Sequence, residues 1–376
     1  MNKLKRKIIK YIKTTRNTIT PVHHILCIDK KSGQKTSIVF IGWDKKLRNY
    51  WLERINNHFE IYQKQSKYLL KTAEWYLNKR KDIDLAIVDQ NNVQISVVER
   101  HPHFLLPKWM EMVIDLDQAL TKSKTKDIVR RIRKYGLEPE FKNQREDVDF
   151  FYSRMYSPLI SQRHKSSAEI ADYRFFMDKF ERGNAQLLFI TRNKETIAAQ
   201  FIEKLENTYR IVSFGILDGR HDIQKMGVHA ALYYFALSHF QKSGYKTVLC
   251  GSSMPLAFDG VTQFKLRLGA KPYVRDIQQR SKYYILPDLH NKPVFQLMHS
   301  NPIFHVSPRG LALSVFIDGE SIPEKKNFLK YYKTVKSENT EKTMFHISTE
   351  FEKIKRWIQE ENIENTELRS YDKNTD

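Results

Sequence analysis

The chain has 376 residues, of which 41% are apolar and 12% aromatic, so it is long enough for two domains and apolar enough for packed cores. Its formal charge of +21 suits polyanionic partners such as RNA, phosphate-bearing cofactors or an anionic membrane surface, although a Lys-rich proteome alone would explain it equally well. Cys27 and Cys250 are the two cysteines, and without a Cys-x-x-Cys pair they argue against a disulfide framework or a zinc site and indicate reduced thiols.

The first 20 residues predict a basic, helix-like arm. Leu4, Ile8 and Ile12 recur at helical spacing among Lys and Arg residues. The arm lacks the unbroken apolar core of a signal peptide, and no run in the chain reaches the roughly 20 apolar residues of a membrane span. We therefore expect a cytoplasmic protein whose arm either contacts anionic lipid at the inner face of the membrane or stays solvated.

Residues 21–105 predict a small α/β subdomain. The predicted order is strand, helix, strand, strand, over 37–41, 49–76, 84–89 and 94–98. Gly42 ends the first strand. Pro102 and Pro107 mark a connector, so we place a domain boundary at about residue 105.

Residues 106–290 predict a second and larger domain. The predicted elements are a strand, three helices, a three-stranded meander, a helix, a strand, a short helix and a strand, over 110–116, 118–135, 147–160, 168–182, 185–191, 196–205, 208–217, 227–243, 246–250, 261–268 and 281–286. Gly136, Gly183, Gly244 and Gly269 follow helices, as glycine commonly does. The turn spacing predicts an antiparallel ladder through the meander. Residues 291–376 predict a C-terminal extension with a strand at 312–317, a helix at 348–361 and a partly disordered tail.

The loop Gln224–His229 is the strongest local candidate for a binding site. It opens a helix, and a helix N-terminus offers N–H groups and partial positive charge to phosphate. Gly227 allows close backbone approach and Lys225 adds charge, although a glycine at a helix start is more often only a turn. The basic stretch 130–134 either binds tRNA or cofactor phosphate or is a solvated face. Asp115 and Asp117 are read as a helix cap, and no metal site is expected.

The order of predicted elements over residues 110–290, about half of the chain, resembles the GNAT superfamily. More narrowly it resembles the branch of Fem-type peptidoglycan aminoacyltransferases and acetyltransferase-like proteins of polysaccharide (cellulose-biosynthesis-type) operons. Three stretches carry the resemblance: the strand at 114–116 before the basic residues 130–134, the meander leading into 224–227, and 251–255 followed by 259–270. In the last stretch Phe264-Lys265 stands shortly before Leu268-Gly269-Ala270.

The resemblance implies a mixed α/β (α+β) GNAT fold with a mixed, largely antiparallel central sheet. It also implies two tandem GNAT-like subdomains, the first of them degenerate. Acetyl-CoA or another acyl-CoA would be the donor, with aminoacyl-tRNA as the alternative. The donor would be held by the loop residues Gln224, Lys225, Met226, Gly227, Val228 and His229. His229 departs from the family pattern, which has a small residue at that position.

The resemblance also implies catalytic and acceptor residues. Lys265 would stabilise developing negative charge or hold donor phosphate, Glu203 or His164 would accept a proton, and Tyr233 would donate one to a leaving thiolate. Arg163, Ser252 and Asp259 would contact the acceptor. Each residue also has an ordinary structural interpretation, namely a solvated lysine, an uncertain strand register, or aromatic core packing.

Three functions remain open from the sequence. The first is a CoA-dependent N- or O-acyltransferase acting on a small-molecule or lipid-linked glycan, lipid or amino-sugar precursor of the cell envelope. The second is a Fem-type transferase that uses aminoacyl-tRNA, although no heptad arm for tRNA is evident. The third is a non-catalytic GNAT scaffold that binds RNA or anionic membrane. We favour the first, because the stretch 251–270 fits the polysaccharide-operon relatives best.

Overall fold

A computed structural model describes residues 20–69, 76–77, 79–80, 82–89, 103–164, 171–273, 281–337 and 340–371. The predicted arm before Thr20, the predicted strand at 94–98 and the end of the chain after Tyr371 lie outside the described residues.

The described strands, in chain order, are β1 (Thr20–Asp29), β2 (Lys35–Ile41), β3 (Phe59–Leu69), β4 (Leu85–Asp89), β5 (Phe104–Pro107), β6 (Met110–Asp115), β7 (Glu138–Lys142), β8 (Ala185–Arg192), β9 (Glu195–Lys204), β10 (Tyr209–Ile216), β11 (Thr247–Ser253), β12 (Ala270–Pro272), β13 (Lys282–Pro287), β14 (Ile303–Ser307), β15 (Gly310–Asp318), β16 (Thr343–Thr349) and β17 (Thr366–Ser370).

The described helices are α1 (Lys45–His58), α2 (Leu116–Ala119), α3 (Lys122–Tyr135), α4 (Arg145–Phe150), a π-helix (Phe151–Tyr156), α5 (Ser157–His164), α6 (Tyr173–Glu181), a 3₁₀ turn (Leu217–Gly219), α7 (His221–Lys225), α8 (Val228–Lys242), α9 (Gly260–Arg267), α10 (Lys292–His299), α11 (Lys325–Val335) and α12 (Phe351–Glu360).

The chain divides into two compact units. The described part of the first unit comprises the residues up to Met110, Met254–Gln263 and the residues from 281 onward, while the second comprises Glu111–Ser253 and Phe264–Tyr273. The second unit contains most of a mixed, largely antiparallel sheet with helices around it. The mixed α/β fold class that the sequence predicts is therefore confirmed.

The first unit contains a six-stranded sheet, in the order β3-β1-β2-β4-β13-β5, and a four-stranded sheet, in the order β14-β15-β16-β17. β2 and β4 are parallel neighbours in full register from Ile38–Leu85 to Ile41–Val88. α1 begins after Asp44, whose carboxylate accepts hydrogen bonds from the N–H groups of Lys46 and Leu47. Its buried face, with Trp51 fully enclosed, packs into the core of this unit.

The second unit is built on the seven-stranded sheet β12-β6-β11-β10-β9-β8-β7. On one face the rings of Phe151 and Phe176 pack on Phe201 of β9, with centroids 5.9 and 5.0 Å away. On the other face Phe240 of α8 stacks on Tyr209 of β10 at 4.1 Å. The large aromatic side chains thus hold helices against both faces of the sheet, and burial of each such ring contributes roughly 2 kcal/mol.

The structure differs from the predicted elements in several places. The predicted helix over 49–76 is wrong beyond His58, because Phe59–Leu69 is a strand that pairs antiparallel with β1. The predicted helix over 118–135 is divided, since α2 ends at Ala119 and α3 begins at Lys122. The meander is confirmed as an antiparallel ladder, with strand bounds within one residue of those predicted.

Candidate active site

The parallel strands β10 and β11 diverge in the middle of the second unit's sheet. They share one registered pair, Arg210 with Leu249, although each strand has at least seven residues. Register also shifts between Ile211 and Ser213, so β10 bulges as it leaves that pair. The backbone edges that face each other beyond the pair are therefore separated. A gap between parallel strands offers N–H and C=O groups to an extended ligand.

α8, which follows β10 after the 3₁₀ turn and α7, begins at the open end of this gap. Gly227 is the N-cap of α8 with φ of 84°, a left-handed conformation that favours glycine, and no side chain caps this described helix. α8 has 15 residues, so its N-terminus carries the partial positive charge of a full helix. The predicted loop 224–229 is shorter in the structure, because Gln224 and Lys225 end α7 and Val228 begins α8, which leaves Met226 and Gly227 between the two helices. Gln224 donates from Nε2 to the carbonyl of Gly219 at 3.4 Å, which ties this segment to the turn after β10.

Two arginines from other elements contact this loop. Nη1 of Arg131, on α3, donates to the carbonyl oxygen of Lys225 at 3.3 Å. Nη1 of Arg192, at the end of β8, lies 3.8 Å from the sulfur of Met226. A Cβ atom added to Gly227 would lie 3.0 Å from Cδ of Arg131. The sequence pointed to the basic stretch 130–134 in general, but nothing in it distinguished Arg131 or indicated Arg192.

His229 has an aromatic environment that its loop position did not suggest. Its imidazole is stacked between Phe214, at 3.9 Å and 15° between ring planes, and Phe264, at 4.3 Å and 19°. Tyr233 meets the same ring edge-on at 5.3 Å. The resemblance implied a small residue at this position, and the structure instead has His229, whose ring is stacked on both faces. Val228 beside it is fully buried.

Lys265 and Tyr233 both bond to the backbone of β11. The Lys265 ammonium is buried and donates to the carbonyls of Gly251 at 2.8 Å and Ser252 at 3.0 Å, while the side chain of Ser252 is exposed. The Tyr233 hydroxyl donates to the carbonyl of Cys250 at 3.2 Å. Burial, followed by nearby Cys250 and Glu111, raises the pKa of Tyr233 well above its usual value, so its proton is retained at neutral pH.

Glu203 belongs to a line of alternating charges across the sheet. One of its oxygens pairs with Lys179 and the other lies 3.2 Å from NH1 of Arg210. Arg210 in turn lies 3.3 Å from Glu111, whose side chain is 4% exposed. Both oxygens of Glu203 are therefore engaged by cations, and its role as a base stays a prediction. Sequence reasoning missed the partners Lys179, Arg210 and Glu111.

Of the three remaining candidates, the side chain of Asp259 alone is described. Asp259 is a residue of the first unit, where its carboxylate caps α9 through the N–H groups of Val261 and Thr262 and pairs with Arg54 at 3.1 Å. Arg163 and His164 end α5, and their side chains lie outside the described part of the structure. Their roles stay predictions.

No set of three or more His, Cys, Asp or Glu side chains among the described residues is arranged to hold a metal ion. Over the same ranges, no helix combines the length and the apolar character needed to span a bilayer.

Comparisons with known proteins give a likeness of structure without a likeness of sequence. No family model matches the chain, and no curated protein matches its sequence. The chain is similar to L-PGS from Bacillus licheniformis, with 14% identity over 73% of this chain and 84% of that one and a TM-score of 0.32. It is similar to FemX, with 11% identity over 73% and 86% and a TM-score of 0.36. It is also similar to a tandem GNAT protein from the clavulanic acid biosynthesis pathway, with 8% identity over 73% and 86% and a TM-score of 0.28. At such TM-scores these likenesses carry no argument about activity.

Proposed function

We propose that the second unit is a GNAT-type acyltransferase that moves an acyl group, acetyl in the simplest case, from acyl-CoA to an amine or hydroxyl. The observation that carries the proposal is the divergence of β10 and β11, which share one registered pair, with the N-terminus of α8 at the open end. An extended carrier can bond to separated strand edges while its phosphates lie at a helix N-terminus.

The donor loop has the charge that a phosphate-bearing carrier needs. Lys225 is exposed on the loop, and Arg131 and Arg192 approach it from α3 and β8. Guanidinium groups bind phosphate through charge-assisted hydrogen bonds, which are stronger than neutral ones. The donor phosphates would lie beside Gly227, where a side chain larger than hydrogen would meet Arg131.

The chemistry requires stabilisation of an oxyanion and a proton for the leaving thiolate. The buried Lys265 ammonium places a positive charge beside the last residues of β11, where it would stabilise negative charge on the attacked carbonyl. The Tyr233 hydroxyl bonds to the same strand and is the candidate proton donor to the thiolate. His164, His229 and Glu203 are the candidates for the base.

The acceptor we propose is a glycan, lipid or amino-sugar precursor of the cell envelope, bound from the cytoplasmic side. The resemblance to polysaccharide-operon proteins and the charge of +21, which favours contact with anionic lipid at the inner face of the membrane, support this proposal. Arg163, Ser252 and Asp259 are its candidate contacts.

Calorimetric titration of the purified chain with acetyl-CoA and longer acyl-CoAs tests the donor. Gly227→Trp should abolish micromolar binding, because the indole ring would occupy the space at the N-terminus of α8 where the donor phosphates would bind. Gly244→Trp is the matched control, since Gly244 follows the other end of the same helix at φ of 85° with nothing within 4 Å of an added Cβ. It imposes the same backbone strain and should leave binding intact. If the wild-type chain binds no acyl-CoA, the proposal fails.

Aminoacyl-tRNA is the second candidate donor. The outer face of α3 favours it, with Arg130, Arg133 and Lys134 all exposed. Phosphate contacts with such residues give affinity that falls steeply with salt. Binding of charged tRNA that weakens about tenfold or more between 50 and 200 mM salt, together with no binding of CoA, would select this donor.

A further inference from the structure

Two side chains from other helices donate hydrogen bonds to the 3₁₀ turn that follows β10. Arg154, on the π-helix, donates from Nε to Oδ1 of Asp218 at 2.9 Å and from NH2 to Oδ2 at 2.7 Å. Gln162, on α5, donates to the backbone carbonyl of Asp218 at 2.9 Å. The two side chains are 53% and 46% exposed, so the pair adds little to global stability, but two parallel hydrogen bonds from one guanidinium clamp the turn in orientation as well as distance.

The same turn contacts the loop that we assign to the donor. Gln224 bonds to the carbonyl of Gly219, the neighbour of Asp218, at 3.4 Å, and the N–H of Gly227 donates to the carbonyl of Gln224 at 3.0 Å. A continuous series of contacts therefore leads from Arg154 through the turn to Gly227, the N-cap of α8.

Arg154 is positioned by the close approach of the π-helix to β10. Gly215 lies on β10, and a Cβ there would come within 2.6 Å of the backbone and Cβ of Met155. The absence of a side chain allows the π-helix to rest directly on β10 beside the diverging part of the sheet. π-helical segments occur often at functional sites.

The choice of aspartate at 218 is informative. Its φ of 51° and ψ of 24° lie in the left-handed region, where glycine would be less strained. Strain of this kind persists where the surroundings impose it and points to a role for the side chain. Resting on the proposed function, we propose that Asp218 is a positioning residue whose carboxylate, clamped by Arg154, holds the loop from Gln224 to Gly227 in the shape that receives the donor phosphate.

The first test replaces Asp218 with glycine. Asp218→Gly relieves the left-handed strain and removes the clamp, so the melting temperature should stay the same or rise while the affinity for acetyl-CoA falls about tenfold. Glu350→Gly is the matched control, because Glu350 is another acidic residue with positive φ, 57°, that pairs with a lysine but belongs to the first unit. It should raise or preserve the melting temperature without changing affinity.

The second test combines variants and measures hydrogen exchange. Arg154→Ala and Asp218→Gly should each speed amide exchange across residues 217–227, and the double variant should be no worse than either single one, because both remove the same clamp. Arg154→Lys should restore part of the protection. Unchanged exchange in the single variants, or additive effects in the double variant, would overturn the proposal. This readout needs no ligand, so a chain that binds no acyl-CoA would disprove the proposed donor while exchange still decides the clamp.

Discussion

Arg210 is the residue that stabilises the point where β10 and β11 separate. It is the last residue of β10 in register with β11, and its guanidinium reaches Glu203 on one side and Glu111 on the other. Glu111 is almost fully buried and has lost most of its hydration, so the ion pair with Arg210 compensates part of that loss. The cation therefore stabilises the sheet at the base of the gap.

Removing that cation should destabilise the fold. We expect Arg210→Met to lower the free energy of unfolding by about 3 kcal/mol, because it removes a cation that is paired with a buried carboxylate. Arg220→Met is the control, since Arg220 pairs with Asp222 at the surface, with 46% and 57% of the two side chains exposed, and should change stability little. Urea denaturation of both variants measures the difference. Equal losses would show that burial of Glu111 does not determine the effect.

Lys265 has a separate, chemical role in the proposal. Lys265→Met keeps the aliphatic stem and removes the ammonium, so kcat should fall roughly a hundredfold while KM for the donor changes little. Lys242→Met, at an exposed position near the end of α8, is the control and should match the wild type. Steady-state kinetics with an amine acceptor separate the two parameters. A higher KM at unchanged kcat would instead make Lys265 a donor-binding residue.

At the scale of elements, local signals predicted the central meander and failed elsewhere. β8, β9 and β10 are joined by short turns, so periodicity and turn residues contain most of the information that defines them. β3 was predicted as helix because its apolar residues continue the pattern of α1, whereas pairing with β1 along its whole length decides its conformation. Pairing partners distant in the chain leave no local signal.

The candidate site likewise has residues that the sequence predicts and residues that it does not. The loop 224–229 could be found from the sequence, because a glycine, a lysine and a following helix are adjacent in the chain. Arg192 and Phe214 could not, since they reach the loop only after the sheet has formed. The π-helix likewise has no sequence signal and depends on the small residue Gly215 on the neighbouring strand.

The contact at Gly215 yields a prediction for the π-helix as an element. Gly215→Ala should lower the free energy of unfolding by about 2 kcal/mol, because the added methyl group overlaps the backbone of Met155 and the π-helix must move. Gly260→Ala, at the start of α9 with open space around it, is the control and should be neutral or slightly stabilising. Thermal unfolding compares the two. Equal stability would mean that the π-helix shifts without cost.

At the scale of the whole molecule, the order of the chain does not follow the division into units. Residues Met254–Gln263 belong to the first unit although those before and shortly after them belong to the second. The described residues from 281 onward also join the first unit and add its four-stranded sheet. A prediction made along the sequence treats neighbours as members of one domain, so it gave one domain over residues 106–290 and a C-terminal extension over 291–376.

That four-stranded sheet contains a buried chain of hydrogen bonds. His305 Nδ1 lies 3.3 Å from the carbonyl of Val306, which can only accept, so His305 Nε2 accepts from the hydroxyl of Ser314 at 3.0 Å. The Ser314 oxygen then accepts from Nε2 of His346 at 3.1 Å, and His346 Nδ1 faces the hydroxyl of Tyr371 at 3.4 Å. Burial favours the neutral form of both imidazoles, and in that form each ring nitrogen has a complementary partner in this chain of hydrogen bonds.

This arrangement predicts loss of stability in mild acid. Burial lowers the pKa of His305 to about 4 and that of His346 well below its usual value, against about 6.5 in the unfolded chain. Below pH 6.5 the unfolded chain binds more protons than the folded one, so stability falls as the pH drops from about 6.5 toward 4. His305 alone should contribute a loss of about 2 kcal/mol between pH 7 and pH 5.

His305→Asn should reduce that loss, whatever its effect on stability at pH 7, because asparagine does not titrate. The control His221→Gln, at an exposed position, should keep the loss. Urea denaturation at several pH values measures the slope, and a slope that His305→Asn leaves unchanged would assign the acid sensitivity to other groups.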